Sequence, residues 1–135
     1  MVLNAKDEII QLIEAYFNKQ SDFDGEGMLN YWHLDGKMYL VGNLGEFRAV
    51  TIEEQVNHMK DAKESVPDLK VDFVIDEIEQ VAVHDDLIAS VHLRYRMVFP
   101  EGYGNHRCFY NLAKIDGVWG IVNVVDRGFQ VMPEE

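Results

Sequence analysis

A chain of 135 residues, 47% hydrophobic and 27% charged, is long enough for one core and too apolar for disorder. Its 24 acidic against 12 basic residues give a net charge of −12, which repels nucleic acid and anionic membrane and leaves no basic patch for either. No apolar run approaches the roughly 20 residues of a membrane helix, MVLNAKDEII lacks the basic-then-apolar order of a signal peptide, and Cys108 is the only cysteine, so the expectation is a single cytoplasmic domain over residues 1–135.

Asn4 can cap a first helix, in which Ile9, Leu12, Ile13, Tyr16 and Phe17 recur at helical spacing to about Lys19. SDFDGEG is a loop and cap. A short helix from about Gly25 to Trp32 buries Met28, Leu29 and Trp32. Two short strands, Lys37 to Val41 and Glu46 to Val50, flank the turn GNLG. Thr51 and Glu54 form a capping box for a third helix, which buries Ile52, Val56 and Met59 and ends before Pro67.

Strands follow. Leu69, Val71, Phe73 and Ile75 alternate, then the phase shifts to Ile78, Val81 and Val83, which predicts a bulge and a bent strand. HDD turns into IASVHLRYRMVF, Ile88 to Phe99. One face of that strand carries Ala89, Val91, Leu93, Tyr95, Met97 and Phe99; the other carries Ile88, Ser90, His92, Arg94 and Arg96. EGYGN turns into HRCFYNLAK, and Asp116-Gly117 turns into VWGIVNVV. Short connections make these last strands a meander. Helices followed by a long, mostly antiparallel sheet give an α+β fold. Apolar residues lie on both faces of the late strands: Phe109, Leu112, Ala113, Trp119, Ile121, Val122, Val124 and Val125. Helices cover one face only, so the other is expected to pair with a second copy, giving a homodimer.

QLIEAYFNKQSDFDGEGMLNYWHLDG at the front and YNLAKIDGVWGIVNVVDRG at the back resemble the nuclear transport factor 2-like superfamily. Within it, the chain is similar to the small lumazine-binding-like and SnoaL-like bacterial proteins. Those show a His-Pro-Asp-Ala run, which here reads His33-Leu34-Asp35-Gly36, and a Lys-x-Asp-Gly-x-Trp-x-Ile-Val-Asn strand, which here reads Lys114 to Asn123. The resemblance implies a cone-shaped fold, three helices packed on a strongly curved sheet enclosing a pocket, with dimerisation through the convex face. It hosts isomerases, cyclases and dehydratases as well as transport and association modules, so it speaks for fold more than for function.

The resemblance also bears on the direction of IASVHLRYRMVF. If its apolar face is the convex dimer face, His92 and Arg94 line the cavity, as the corresponding basic residue does in the calcium/calmodulin-dependent kinase association domain that LIASVHLRYR resembles. The other reading is a solvated strand face with cross-strand ion pairs. On the cavity reading, His92 is the general base or binds an anion together with Arg94, because imidazole changes charge near neutral pH. Asp126 orients it or pairs with Arg94, and Arg94 holds an anionic or carbonyl group. Tyr16 stands where the resemblance places the hydroxyl donor of ketosteroid isomerase; otherwise it is a core tyrosine. Leu40 falls where that enzyme has its aspartate base, and Tyr110 where it has an acidic oxyanion partner.

The Asp116-Gly117 turn sets which residues join them. A two-residue turn places Tyr110 opposite Asn123; a three-residue turn with a glycine bulge places it opposite Val122. The bulged form matches the family's cavity positions and turns His106, Cys108, Tyr110 and Leu112 inward with Val122, Val124 and Asp126. The expected function is binding of a compact, partly apolar molecule with an anionic or carbonyl group, with proton transfer beside a carbonyl if the chain is an enzyme. The competing expectation is a non-catalytic dimeric association module. The histidine spacing gives no metal site, and no cofactor motif is present, so neither is expected.

Overall fold

The computed structural model describes residues 4–42 and 44–133. Helix α1 spans Ala5–Ser21, with the Asn4 side chain accepting from Asp7 N at 2.8 Å. Helix α2, Gly25–Leu29, is capped by Asp24. Strands β1, Trp32–Val41, and β2, Phe47–Thr51, precede α3, Ile52–Ser65. The Thr51–Glu54 capping box starts α3 with both reciprocal bonds made, so the turn that ends β2 also begins the helix. Long strands β3, Asp72–His84, β4, Ile88–Phe99, β5, Gly102–Ile115, and β6, Val118–Pro133, complete the chain.

The six strands form one curved, unclosed sheet in the order β2-β1-β6-β5-β4-β3. Among the described residues only β1 and β6 pair in parallel. The architecture is thus α+β, with helices on one face of a mostly antiparallel mixed sheet. Trp32 opens β1 opposite Ile121 and lies outside α2, so the short helix ends earlier than its composition predicts. The phase shift in β3 corresponds to register shifts between Ile75 and Glu77 and between Ile78 and Gln80.

The core lies between α1 and the inner sheet face. Ile9, Ile13, Tyr16 and Phe17 meet Val91, Leu93, Tyr95, Tyr110, Leu112, Ile121 and Val124. The Phe17 ring sits edge-on to Tyr95 at 5.1 Å. This corrects the expected direction of β4. Its apolar face packs inward on α1, because the helix supplies the apolar partner that the inner face needs, and His92, Arg94 and Arg96 lie outside. There Arg94 pairs with Glu77 at 3.0 Å and Arg96 with Asp76 at 2.9 Å, both from the neighbouring strand β3. The cross-strand ion-pair reading of the alternation is the one the structure shows.

The last hairpin differs from both registers expected of it. Asp116 and Gly117 have φ of 53° and 80°, the two positive values of a tight two-residue turn, and Ile115 faces Val118. Further in, the register shifts: Leu112 faces Ile121 but Asn111 faces Asn123, leaving Val122 as an extra residue. Tyr110 therefore lies opposite Val124. Trp119 and Ile121 point inward, and strict alternation would send Asn123, Val125 and Arg127 after them. The bulge at Val122 reverses the phase, and Val124 and Asp126 are buried instead.

Candidate functional site

The bulge matters because of what it turns inward. A cavity of about 560 Å³ opens between the end of α1, the β1–β2 hairpin and the inner sheet face. Met38, Leu40, Phe47, Phe73 and Met97 are its apolar walls. Gln20, Tyr95, His106 and Asp126 form its polar side, and Glu46, Arg48 and Gln55 also border it.

Sheet register places these groups. One row across the sheet runs Arg48, Leu40, Asp126, Cys108 and Leu93; the next runs Gly128, His106 and Tyr95. Alternation keeps both rows on the inner face, so their side chains meet. His106 Nδ1 lies 3.0 Å from Asp126 Oδ1, and the Tyr95 hydroxyl donates a short hydrogen bond to Asp126 Oδ2. The Tyr95 and His106 rings stack at 4.7 Å with planes 18° apart. His106 also lies over Gly128, where a Cβ would stand only 3.2 Å from the imidazole Cε1.

Asp126 is 8% exposed. A carboxylate so buried needs donors, and it has one on each oxygen. Burial is the main cause that holds the Tyr95 phenol well above its ordinary pKa, with the Asp126 charge second. Tyr95 therefore stays a donor. A donating His106 Nδ1–H leaves Nε2 with its lone pair, the arrangement of an imidazole oriented for acid–base work. Among the described residues no three His, Cys, Asp or Glu side chains converge as a metal site.

Of the residues named from sequence, Asp126, His106 and Leu40 line this cavity. Tyr16, Tyr110 and Val124 are fully buried in the core behind it. Burial likewise raises the phenol pKa of Tyr16 and Tyr110, and the Tyr16 hydroxyl has no hydrogen-bond partner. His92 and Arg94 are corrected to the outer face, where His92 packs on Phe109 at 4.2 Å. Val122, displaced by the bulge, borders a separate hollow with Ser90 and Asn111. His33 bonds the carbonyl of Ala113 at 3.1 Å, a structural role.

Sequence reasoning missed Tyr95, Gln20 and Arg48. The alternation of β4 puts Tyr95 in the apolar row expected on the convex face. Gln20 carried a signal: it follows Tyr16 by four and Phe17 by three, a polar residue on the buried stripe of α1. Arg48 gave none, since its strand reads as ordinary polar edge.

A family model described as "Putative lumazine-binding" matches residues 4–125. Solved structures agree on the fold. An NTF2-like protein from Cytophaga hutchinsonii superposes with a TM-score of 0.73 at 15% identity, covering 94% of this chain and 100% of that one. An NTF2-like protein of unknown function from Shewanella oneidensis gives 0.65 at 20% identity, over 90% and 97% of the two chains. A ketosteroid isomerase-like protein from Erwinia carotovora atroseptica gives 0.69 at 14% identity, over 96% and 99%. At such identities the likeness shows fold alone. No curated protein matches the chain. No helix among the described residues is long and apolar enough to cross a membrane. The chain belongs to the "Putative lumazine-binding" family and has an NTF2-like fold.

Proposed function

We propose that the cavity binds a compact, partly apolar carbonyl compound and moves a proton beside its carbonyl, the reaction class of isomerases, dehydratases and cyclases. The observation that carries this reading is the buried Asp126, bridging the Tyr95 phenol and the His106 imidazole beside the apolar walls of the cavity. His106 Nε2 takes a proton from the carbon next to the carbonyl. The C–H electron pair becomes the carbon–carbon double bond of an enolate, and the carbonyl pair moves onto oxygen. Arg48, on the cavity lining across Leu40 from Asp126, supplies the cation for that oxygen. Asp126 stabilises the imidazolium, which returns its proton at the same or a conjugated carbon.

The test is deuterium exchange from solvent into the α-positions of a panel of mono- and bicyclic ketones. Exchange above buffer is expected for at least one member, falling about a hundredfold or more in His106→Ala with the fold intact by circular dichroism. No exchange across the panel, or exchange indifferent to His106→Ala, sinks the reading.

The proposal includes a homodimer through the outer sheet face, in a cytoplasmic setting. Its support is the apolar surface there: Phe109 is 41% and Val125 37% exposed, beside a hollow of about 350 Å³ bordered by Val41, Arg107 and Arg127. Sedimentation of wild type against Phe109→Glu tests it, and a wild-type monomer at micromolar concentration rejects it.

A further inference from the structure

Gln20 sits at the last turn of α1, is 6% exposed and lines the cavity, yet its Oε1 has no hydrogen-bond partner. A buried unpaired amide oxygen is costly, and nothing in the packing requires one there. Its neighbours on the same stripe, Ile9, Ile13, Tyr16 and Phe17, are core residues, and a methionine would continue the stripe at the same length without the penalty. The cost is explained if the oxygen is an acceptor waiting for a ligand donor. The rest of the cavity leaves that task to Gln20. Both oxygens of Asp126 are engaged, and the Tyr95 hydroxyl is committed to Asp126. Phe73 and Met97 are apolar, and Glu46 and Gln55, though acceptors on the same lining, are not buried, so neither carries the cost of an unpaired buried atom as Gln20 Oε1 does.

We infer that the ligand carries, besides its carbonyl, an uncharged hydrogen-bond donor, a hydroxyl or N–H group, which Gln20 Oε1 receives. This rests on the proposed function and deepens it. The ligand has two polar points separated by an apolar body: a carbonyl presented to His106 and Arg48, and a donor presented to the end of α1. Gln20 is then the specificity-determining residue. A ligand lacking the donor leaves the amide buried and unpaired, the situation in which a polar site discriminates most strongly.

The test uses bicyclic ketones paired with ring-hydroxylated counterparts, β-tetralone and its hydroxy derivatives among them, with binding measured calorimetrically to the full chain. In wild type the hydroxylated member of at least one pair binds about tenfold to a hundredfold tighter. In Gln20→Met that preference falls to within about twofold, and the unliganded variant melts at a higher temperature than wild type, because a buried unpaired group is gone. Ketones that bind wild type without a hydroxyl preference, or a preference that survives Gln20→Met, overturn the inference while leaving the carbonyl site standing. A Gln20→Met protein that melts lower than wild type makes Gln20 a structural residue and also overturns it. If no ketone of either kind binds, the proposed function fails and this inference with it.

Discussion

Alkali should unfold this protein through its tyrosines. Tyr16, Tyr95 and Tyr110 are all in the buried core, and burial is the first cause that raises each phenol above its usual value. In the unfolded chain these phenols ionise near pH ~10. Above that pH the unfolded state has released protons that the native state retains. Fewer protons are then bound in the unfolded state, so stability falls as pH rises. The slope is about 1.4 kcal/mol per pH unit for each such group, hence about 4 kcal/mol per unit for the three together. Buried Cys108, whose pKa is also raised chiefly by burial, adds to the slope from a lower starting pH. At neutral pH all four are protonated in both states and contribute no slope. Against a typical total of about 5–15 kcal/mol, unfolding should be complete within a few units above the unfolded phenol value. Urea midpoints between roughly pH 8 and 11 measure the slope, and tyrosinate absorbance shows whether the buried phenols ionise only on unfolding. Differences between variants isolate the effect from other titrating groups. Tyr16→Phe and Tyr110→Phe should each remove about a third of the tyrosine share of the slope. An unchanged slope in the double variant, or all six tyrosines ionising reversibly near pH ~10 in the folded protein, would refute the reasoning.

Three further outcomes are expected. Asp126→Asn gives the Tyr95 hydroxyl and His106 Nδ1–H only one good acceptor and faces one of them with an amide donor, so it should cost about 1–3 kcal/mol by urea denaturation; a neutral effect would mean that the buried carboxylate is not held as described. Deleting Val122 removes the extra residue and should leave a regular strand in which Ile121, Val124 and Asp126 still alternate inward, with the near-ultraviolet tyrosine signal of the parent protein; a lost signal would contradict the register. Thr51→Ala breaks the capping box and should cost about 1 kcal/mol, read from the thermal midpoint, with the sheet otherwise intact by circular dichroism.

Local patterns carried the architecture. The amphipathic stripe of α1, the Thr51–Glu54 box and the shifted phase of β3 each answer to neighbours close in sequence, and a sequence displays those directly. The site was less legible because two choices are tertiary. Alternation in β4 establishes two faces without saying which one a helix will cover, and the cover from Phe17 decides it. In β6, VWGIVNVVD is nearly apolar throughout, so the position of one extra residue leaves no mark on its pattern, although that residue sets the direction of Asp126. The sequence therefore pairs Asp126 with His92 or Arg94, which lie on the opposite side of the sheet, while Tyr95, which completes the cluster of Asp126 and His106, falls on the face expected to meet a second copy.

The parallel pairing of β1 with β6 has a consequence for the order in which the molecule can be built. β1 and β2 emerge first from the ribosome and can form their hairpin at once, but the other edge of β1 must wait for the last strand of the chain. Closing so long a loop is entropically slow. Until it happens, β1 offers an open row of backbone donors and acceptors, and Leu40 has no Asp126 beside it. The cavity is thus among the last features to form, and occupancy of the cavity reports a sheet that has been completed.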